Sequence, residues 1–475
     1  MNADNPQAIR SAGSIRVYLR LSADAFAFAF AVILAGCAIG PNYSKPETVV
    51  PEQWKEAGDW VVATPADALP KGKWWEAFND PILNELMEQV SVSNQTLKVS
   101  EARYRQARAA VQSARAGFYP TFGAGANASR SRASGQRYTV SLDASWEIDL
   151  WGRIRRLVEA ARAGEEASAA DLEAAKLSLQ AELATNYFQL RVVDVQRDLL
   201  DDTVKAFQAS YDVTQNRYRA GVAGRVDVVQ AESQLLSTQA QAIDLRSTRA
   251  TLEHAIAVLI GRPPALVTIE ARPFKAHIPD VPASVPSILL ERRPDIAAAE
   301  RRMAAANARI GVAQSAYFPA LSLTGSGGFA SNAISTLFSA PSRFWSIGLG
   351  LAGTILDFGG RAAAVDTSRA AYDEAIASYR QTVLDAFKEV EDNLASVHWL
   401  TEESAIQQEA ARAARESVVL TVNQYKAGTV SYLNVVQVQA TQLNEERTTV
   451  QLLGRRLAAT VALIKALGGT WQTKE

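Results

Sequence analysis

One stretch decides what this chain can fold into. From Arg137 to Ile148, apolar Tyr138, Val140, Leu142, Ala144, Trp146 and Ile148 alternate with polar Thr139, Ser141, Asp143, Ser145 and Glu147. A period of two over that length is a strand with one apolar and one polar face. After Asp149-Leu150-Trp151-Gly152-Arg153 the period changes. From Arg153 to Ala220 there is no proline and one glycine, Gly164, among Ala, Leu, Glu, Gln and Arg. These are strong helix formers. A rise of about 1.5 Å per residue makes this helix roughly 100 Å long, against about 30 Å for a small soluble domain. A strand of membrane-spanning length feeding such a helix points to a tube standing under a β-barrel.

The pattern occurs twice. Asp149-Leu150-Trp151-Gly152-Arg153 recurs as Asp357-Phe358-Gly359-Gly360-Arg361, an offset of 208 (360 − 152). Tyr218-Arg219-Ala220-Gly221 recurs as Tyr425-Lys426-Ala427-Gly428, an offset of 207 (428 − 221). Asp227-Val228-Val229-Gln230 and Asn434-Val435-Val436-Gln437 share that offset, as do Gly261 and Gly468. Pro120 and Pro319 lie 199 apart, so the second half has nine extra residues (208 − 199), placed in the turn 331–342. Each half reads helix, strand, strand, helix, helix. The first helix is capped by Asp80 with Pro81 behind it and runs unbroken to about Gly117. Its strand follows Pro120 to about Ser129, and a turn spans 129–136. In the second half the strand that matches Arg137–Ile148 runs from Phe344 to Leu356, with Trp345, Ile347, Leu349, Leu351 and Ile355 on one face. The long helices are Arg153–Ala220 and Arg361–Ala427. The first ends at Gly221, a left-handed helix cap, and a return helix covers about Val226 to Ile260. No proline falls between 121 and 262 or after 341, as long helices and sheet interiors require.

Four strands cannot close a barrel, and an open sheet edge cannot face lipid. The strands must therefore be shared between chains: eight from two chains, or twelve from three with room for a lumen. The polar faces, with Asp143 and Glu147, suit a water-filled lumen. A soluble sandwich or a long coiled-coil stalk are the competing architectures.

Composition narrows the class. The formal charge is −1 with 21% charged residues, which excludes a general nucleic-acid binder. Residues 1–20 carry Arg10, Arg16 and Arg20, and 25–36 are apolar or glycine. A basic segment before a short apolar core is an export signal, too short for a transmembrane helix. Leu34-Ala35-Gly36-Cys37 resembles the bacterial lipobox, so lipid is expected on Cys37, the only cysteine. His254, His277 and His398 are isolated, and no metal spacing, Gly-x-Ser-x-Gly or phosphate loop is present. No cofactor, metal or enzymatic activity is expected.

Several segments carry a family resemblance: Gly40-Pro41-Asn42-Tyr43 after the lipobox, and Trp74-Trp75-Glu76-Ala77-Phe78-Asn79-Asp80-Pro81. Glu291-Arg292-Arg293-Pro294-Asp295-Ile296, Ile310-Gly311-Val312-Ala313, Tyr317-Phe318-Pro319 and the two Tyr-(Arg/Lys)-Ala-Gly tips complete the set. Together they resemble the outer-membrane factors of the TolC type, and more closely the lipoprotein branch (NodT family) serving resistance–nodulation–division pumps. The resemblance implies a fold that is mainly α with a transmembrane β-barrel. Each chain of a homotrimer would give four strands to a twelve-stranded barrel continuous with a long periplasmic α-helical barrel. It implies passive export of substrates delivered by an inner-membrane efflux transporter through a periplasmic adaptor. The protein would sit in the outer membrane, anchored in its lipid from the periplasmic side. The expected organisation is an export signal over 1–36, a lipidated linker over 37–80, repeats over 81–262 and 287–475, and a Pro-rich linker over 263–286.

The resemblance also places a gate and an adaptor dock at the tips, on Tyr218, Arg219, Gly221, Arg225 and Asp227 in one half. The counterparts in the other are Tyr425, Lys426, Gly428, Asn434 and Gln437. Some relatives carry carboxylates where Asn434 and Gln437 stand, so a strong cation-binding ring is not expected here. Asp227 reads equally as a helix cap, and the two tyrosines as packing residues. A structural coiled-coil or adhesin-like surface protein is the alternative function.

Overall fold

The computed structural model describes residues 38–46, 51, 54–55, 72–133, 135–281 and 293–469. The export segment, Cys37, and Glu291-Arg292 lie outside them. Helices α1 (Pro81–Ser93) and α2 (Gln95–Ala116) lead into strands β1 (Thr121–Ser131) and β2 (Gly135–Ile148). Helices α3 (Arg153–Arg219) and α4 (Arg225–Leu259) complete the first half. The second half is α5 (Pro294–Ser315), β3 (Ala320–Ser331), β4 (Arg343–Ala352), α6 (Gly360–Lys426) and α7 (Tyr432–Ala466). The repeat shows in the lengths: α2 and α5 have 22 residues each, α3 and α6 have 67, α4 and α7 have 35.

Three sequence expectations change. The helix from Pro81 does not run unbroken to Gly117. Asn94 takes an extended conformation and splits it. Its side chain accepts from Leu97 N at 2.9 Å, capping α2, and donates to Leu259 O at 2.7 Å. A polar residue that satisfies a distant carbonyl and a local cap together outweighs helix propensity. Strand β4 stops at Ala352, not Leu356, although the apolar alternation continues to Ile355. Arg361 draws Thr354 O and Ile355 O out of any ladder, at 2.5 and 3.4 Å. The first hairpin is tighter than the span 129–136, since pairing continues to Ser131↔Gly135. The longer turn of the second half lies where expected, between β3 and β4, and contains two short 3-10 turns.

The four strands form one antiparallel sheet in the order β1-β2-β3-β4. Its register collects small and polar residues on one face: Asp143 opposite Gly123 and Ser326, Ser145 opposite Thr121 and Thr324, Ser346 beyond Ser326. Phe122, Leu142, Trp146, Leu323, Trp345, Ile347 and Leu349 share the other face. Phe122 and Trp345 are each 81% exposed. Among the described residues, β1 and β4 each pair on one side only. An apolar face this open requires lipid or a partner, and the two free edges require further strands. Strands of 10–14 residues span a bilayer when tilted. Among the described residues no helix is long and apolar enough to cross one.

The Asp-x-x-Gly-Arg junction between strand and long helix has a physical account. Asp149 caps α3, accepting from Ile154 N at 2.9 Å and Arg155 N at 3.0 Å, and Asp357 accepts from Arg361 N at 2.9 Å. Gly152 has φ +81, and a side chain there would meet Ala38 at 2.7 Å. Residues 38–46 form neither helix nor strand, yet they are pinned. Arg156, 4% exposed, donates to Ile39 O (3.1 Å), Gly40 O (3.0 Å) and Asn42 Oδ1 (3.0 Å). Asn307 donates to Pro41 O at 3.0 Å, and Gly311 leaves room for Gly40.

The chain divides into two compact units, and each draws on both repeats. One holds Tyr104–Ser168 and Ala298–Tyr379 with the sheet, and the other Thr48–Arg103, Ala169–Ala297 and Arg380–Glu475. Within the second, a buried ionic network pins the proline-rich segment. Tyr187 donates to Asp80 Oδ2 at 2.6 Å, and Arg272 to Asp80 Oδ1 at 2.7 Å. Arg191 donates to Tyr187 Oη, Glu270 O and Asp194; Arg249 donates to Asp194 at 2.7 Å and to Ile269 O. Burial and the Asp80 carboxylate raise the Tyr187 pKa, against Arg191 lowering it, so the hydroxyl stays a donor.

Candidate functional site

Each long helix ends at a glycine in the left-handed region, Gly221 at φ +73 and Gly428 at φ +77. Both ends are Schellman turns. Val222 N donates to Arg217 O and Gly221 N to Tyr218 O, each at 2.9 Å. Thr429 N donates to Gln424 O and Gly428 N to Tyr425 O, each at 3.0 Å. The amides that would otherwise be orphaned thus satisfy the last carbonyls. The chain reverses within five residues, 220–224, and enters α4. Asp227 is a cap here: its carboxylate accepts from Gly224 N at 3.3 Å while its own amide donates to Gly224 O. In the second half, Asn434 accepts from the Ser431 hydroxyl at 3.1 Å in the same place.

The two tips are alike in backbone and unlike in packing. Tyr425 is buried, with the Arg217 guanidinium 4.6 Å from its ring centre. Arg217 also donates to Tyr425 O at 3.3 Å. The Tyr425 and Tyr432 rings lie 5.4 Å apart, and the Tyr432 hydroxyl bonds Ser210 at 3.1 Å. Burial raises the Tyr432 pKa and keeps it neutral. Ala231 and Val435 complete this cluster. Tyr218, the repeat of Tyr425, is instead 43% exposed. Arg219, Arg225, Lys426, Asn434 and Gln437 are exposed. So are Val222, Val226 and Val229, giving the first tip an apolar surface between two arginines. Arg217, Ser210, Tyr432 and the three valines are absent from the sequence expectation. The repeat carried a signal for Tyr432, which falls on Arg225 at the 207 offset and so marks where the halves diverge.

On the polar sheet face, Asp143 accepts from Ser141 at 2.8 Å and Ser326 at 2.7 Å. Glu147 is held by Arg153 through two bonds of 2.8 and 2.6 Å. Its charge is thus neutralised at the strand end, whereas Asp143 keeps a hydroxyl-solvated charge on an exposed face.

An open sheet with an apolar face and unpaired edges, with two pairs of long helices ending in glycine-capped reversals, defines a subunit of an oligomeric barrel channel. A family model described as outer membrane efflux protein matches residues 86–262 and 285–469, and the chain belongs to that family. It is 31% identical to the pyoverdine export outer membrane protein OpmQ of Pseudomonas aeruginosa, over 93% of this chain and 96% of that one. It is 28% identical to the cation efflux system protein CusC of Escherichia coli, over 94% of this chain and 98% of the relative. The solved outer-membrane channel OprN superposes with a TM-score of 0.85 at 32% identity, covering 92% of this chain and 100% of that one. The chain is an outer-membrane channel component of an efflux pump. Its fold is that of trimeric channels to which each chain gives four strands of a shared barrel and two pairs of long helices. The reading as a structural surface coiled coil is not favoured, since the match runs through both repeats.

Proposed function

We propose that the hairpin tips are both the closure of the channel and the dock for a periplasmic adaptor, through which an inner-membrane efflux transporter delivers its cargo. The observation that carries this reading is the first tip: Val222, Val226 and Val229 are 66%, 68% and 52% exposed beside Arg219 and Arg225. Apolar side chains ringed by charge at a tight reversal are the anatomy of a docking surface. Transport is passive, with Asp143 and Glu147 on the lumen face. The constriction carries Asn434 and Gln437, so no strong cation ring forms there. Relatives of similar identity are named for pyoverdine export and for cation efflux, chemically unlike cargoes. Selection therefore resides in the transporter.

The test is charge reversal. Arg219→Glu and Arg225→Glu are expected to lower drug or metal tolerance in cells lacking their own outer-membrane factor, with trimer levels in the membrane unchanged. Lys426→Glu should do so less, because the second tip offers no comparable apolar patch. Equal loss from all three would contradict the assignment of the dock to the first tip.

We also propose an export signal over 1–36 and lipid on Cys37. The linker 37–80, the repeats 81–262 and 287–475, and the Pro-rich connection 263–286 complete the organisation. The Arg156 clamp supports the anchor, because it holds the chain from Ile39, two residues after Cys37. One acyl chain binds a membrane only marginally, and the barrel already spans it. Cys37→Ser is expected to abolish radioactive palmitate labelling while leaving much of the export. Labelling that persists in the variant rules the assignment out.

A further inference from the structure

A crevice of about 480 Å³ opens at the foot of the sheet, between the end of α5 and the start of α6. Its volume falls within the roughly 300–1,000 Å³ of ligand sites. Tyr317, Phe318, Ala362, Val365 and Arg369 line it, and so does Ile39 of the N-terminal segment. Ala362, Val365, Asp366 and Arg369 recur at helical spacing, so the wall on α6 is about 10 Å long. The end towards the sheet is apolar, and the end away from it carries Asp366 and Arg369, paired at 3.5 Å. The two aromatic residues are fixed by neighbours. The Arg361 guanidinium lies 5.3 Å from the Tyr317 ring centre, and the Trp151 ring 4.9 Å from that of Phe318. Both nevertheless keep open surface, 48% of Tyr317 and 41% of Phe318.

The internal repeat shows that this opening is particular to the second half. At the offset of 208, Ala362 corresponds to Ile154 (362 − 208) and Asp366 to Val158 (366 − 208). Ile154 and Val158 are packed away, 3% and 5% exposed, and a side chain at Gly117 would meet Ile154 at 3.2 Å. The first half thus fills with its own side chains a place that the second half leaves open. Apolar walls without a partner forfeit dispersion contacts and stay in water, so the crevice favours an apolar occupant. The described residues begin at Ala38, beside it. Ile39 lines the crevice, its amide donates to Trp151 O at 3.1 Å, and its carbonyl accepts from Arg156 at 3.1 Å. Cys37 is two residues earlier, a distance the backbone covers in at most about 7 Å.

We infer that the crevice takes one acyl chain of the lipid on Cys37, while the rest of that lipid enters the bilayer. The inference rests on Cys37 being lipidated. The Arg156 clamp then fixes where the chain enters, and Ala362, in the place of an isoleucine, leaves it room. The lipid is on this account a packed part of the protein at the foot of the sheet as well as a tether.

Photocrosslinking tests it. Cells are fed palmitate bearing a diazirine near its methyl end, the trimer is purified and irradiated, and the joined peptides are identified by mass spectrometry. The expected product links the Cys37 peptide, through its acyl chain, to residues 314–318 or 362–369. Ala362→Ile, which gives the second half the first-half side chain, should lose that product while palmitate label, trimer and export persist. Label on Cys37 with no product in either segment, or a product undiminished in Ala362→Ile, overturns the crevice assignment and leaves the lipid standing. The same segments joined to free phospholipid, in Cys37→Ser trimer as well, would assign the crevice to bilayer lipid and overturn the inference. An unlabelled Cys37 removes the lipid reading and the inference with it.

Discussion

Asp194→Ala is expected to be among the most damaging single substitutions outside the membrane sheet, costing about 3–5 kcal/mol, the range found when one partner of a buried ion pair is removed. Asp194 is 1% exposed and Arg191 fully buried. One carboxylate serves both Arg191, at 3.3 Å, and Arg249, at 2.7 Å. Without it, Arg191 keeps only neutral acceptors, the Tyr187 hydroxyl and Glu270 O, and its charge stands uncompensated in the interior. The same arginines hold Ile269 and Glu270 by their carbonyls, so the proline-rich segment loosens with them. Asp194→Asn keeps the shape and one acceptor oxygen, and should cost less. The measurement is trimer yield in outer membranes and the temperature at which purified trimer dissociates. Wild-type values for Asp194→Ala would show that this network adds nothing to stability.

This network also marks where sequence reasoning stops. Strand period, proline exclusion and the duplicated motifs sufficed for the four strands, the 67-residue helices and the glycine reversals, because each rests on local chemistry. Asn94 breaks a helix that contains no glycine or proline, and it does so through Leu259, 165 residues away. Arg361 ends β4 by taking carbonyls that alternation assigns to the ladder. Arg156 reads as one more arginine on a long helix, yet it is buried to clamp residues 39–42. At the tips the repeat motif is symmetric in letters and asymmetric in burial. Tyr425 is covered by Arg217, a first-half residue, whereas Tyr218 is 43% exposed. What was illegible in each case is a long-range partner.

Gly221→Val with Gly428→Val is expected to abolish export while sparing the trimer. Both glycines sit in the left-handed region, φ +73 and +77, where a β-branched residue is a strained outlier costing on the order of 1–3 kcal/mol. No atom lies within 4 Å of the place a Cβ would occupy at either glycine. The cost is therefore in the backbone alone, and the chain relieves it by unwinding the Schellman bonds from Val222 to Arg217 and from Thr429 to Gln424. That moves Val222 and Arg225 away from their places in the proposed docking surface. It also pulls on Arg217, whose carbonyl anchors one turn and whose guanidinium covers Tyr425. Each glycine is followed within a few residues by a 35-residue return helix and preceded by 67 helical residues separating it from the strands, so the sheet assembles as before. Asparagine tolerates the left-handed region better than valine, so Gly221→Asn with Gly428→Asn should retain most of the export. The assay is drug or metal tolerance in cells lacking their own outer-membrane factor, beside the amount of trimer in the membrane. Full tolerance with both valines in place means the reversals serve neither closure nor docking. Loss of the trimer itself would mean that assembly, rather than transport, depends on these turns.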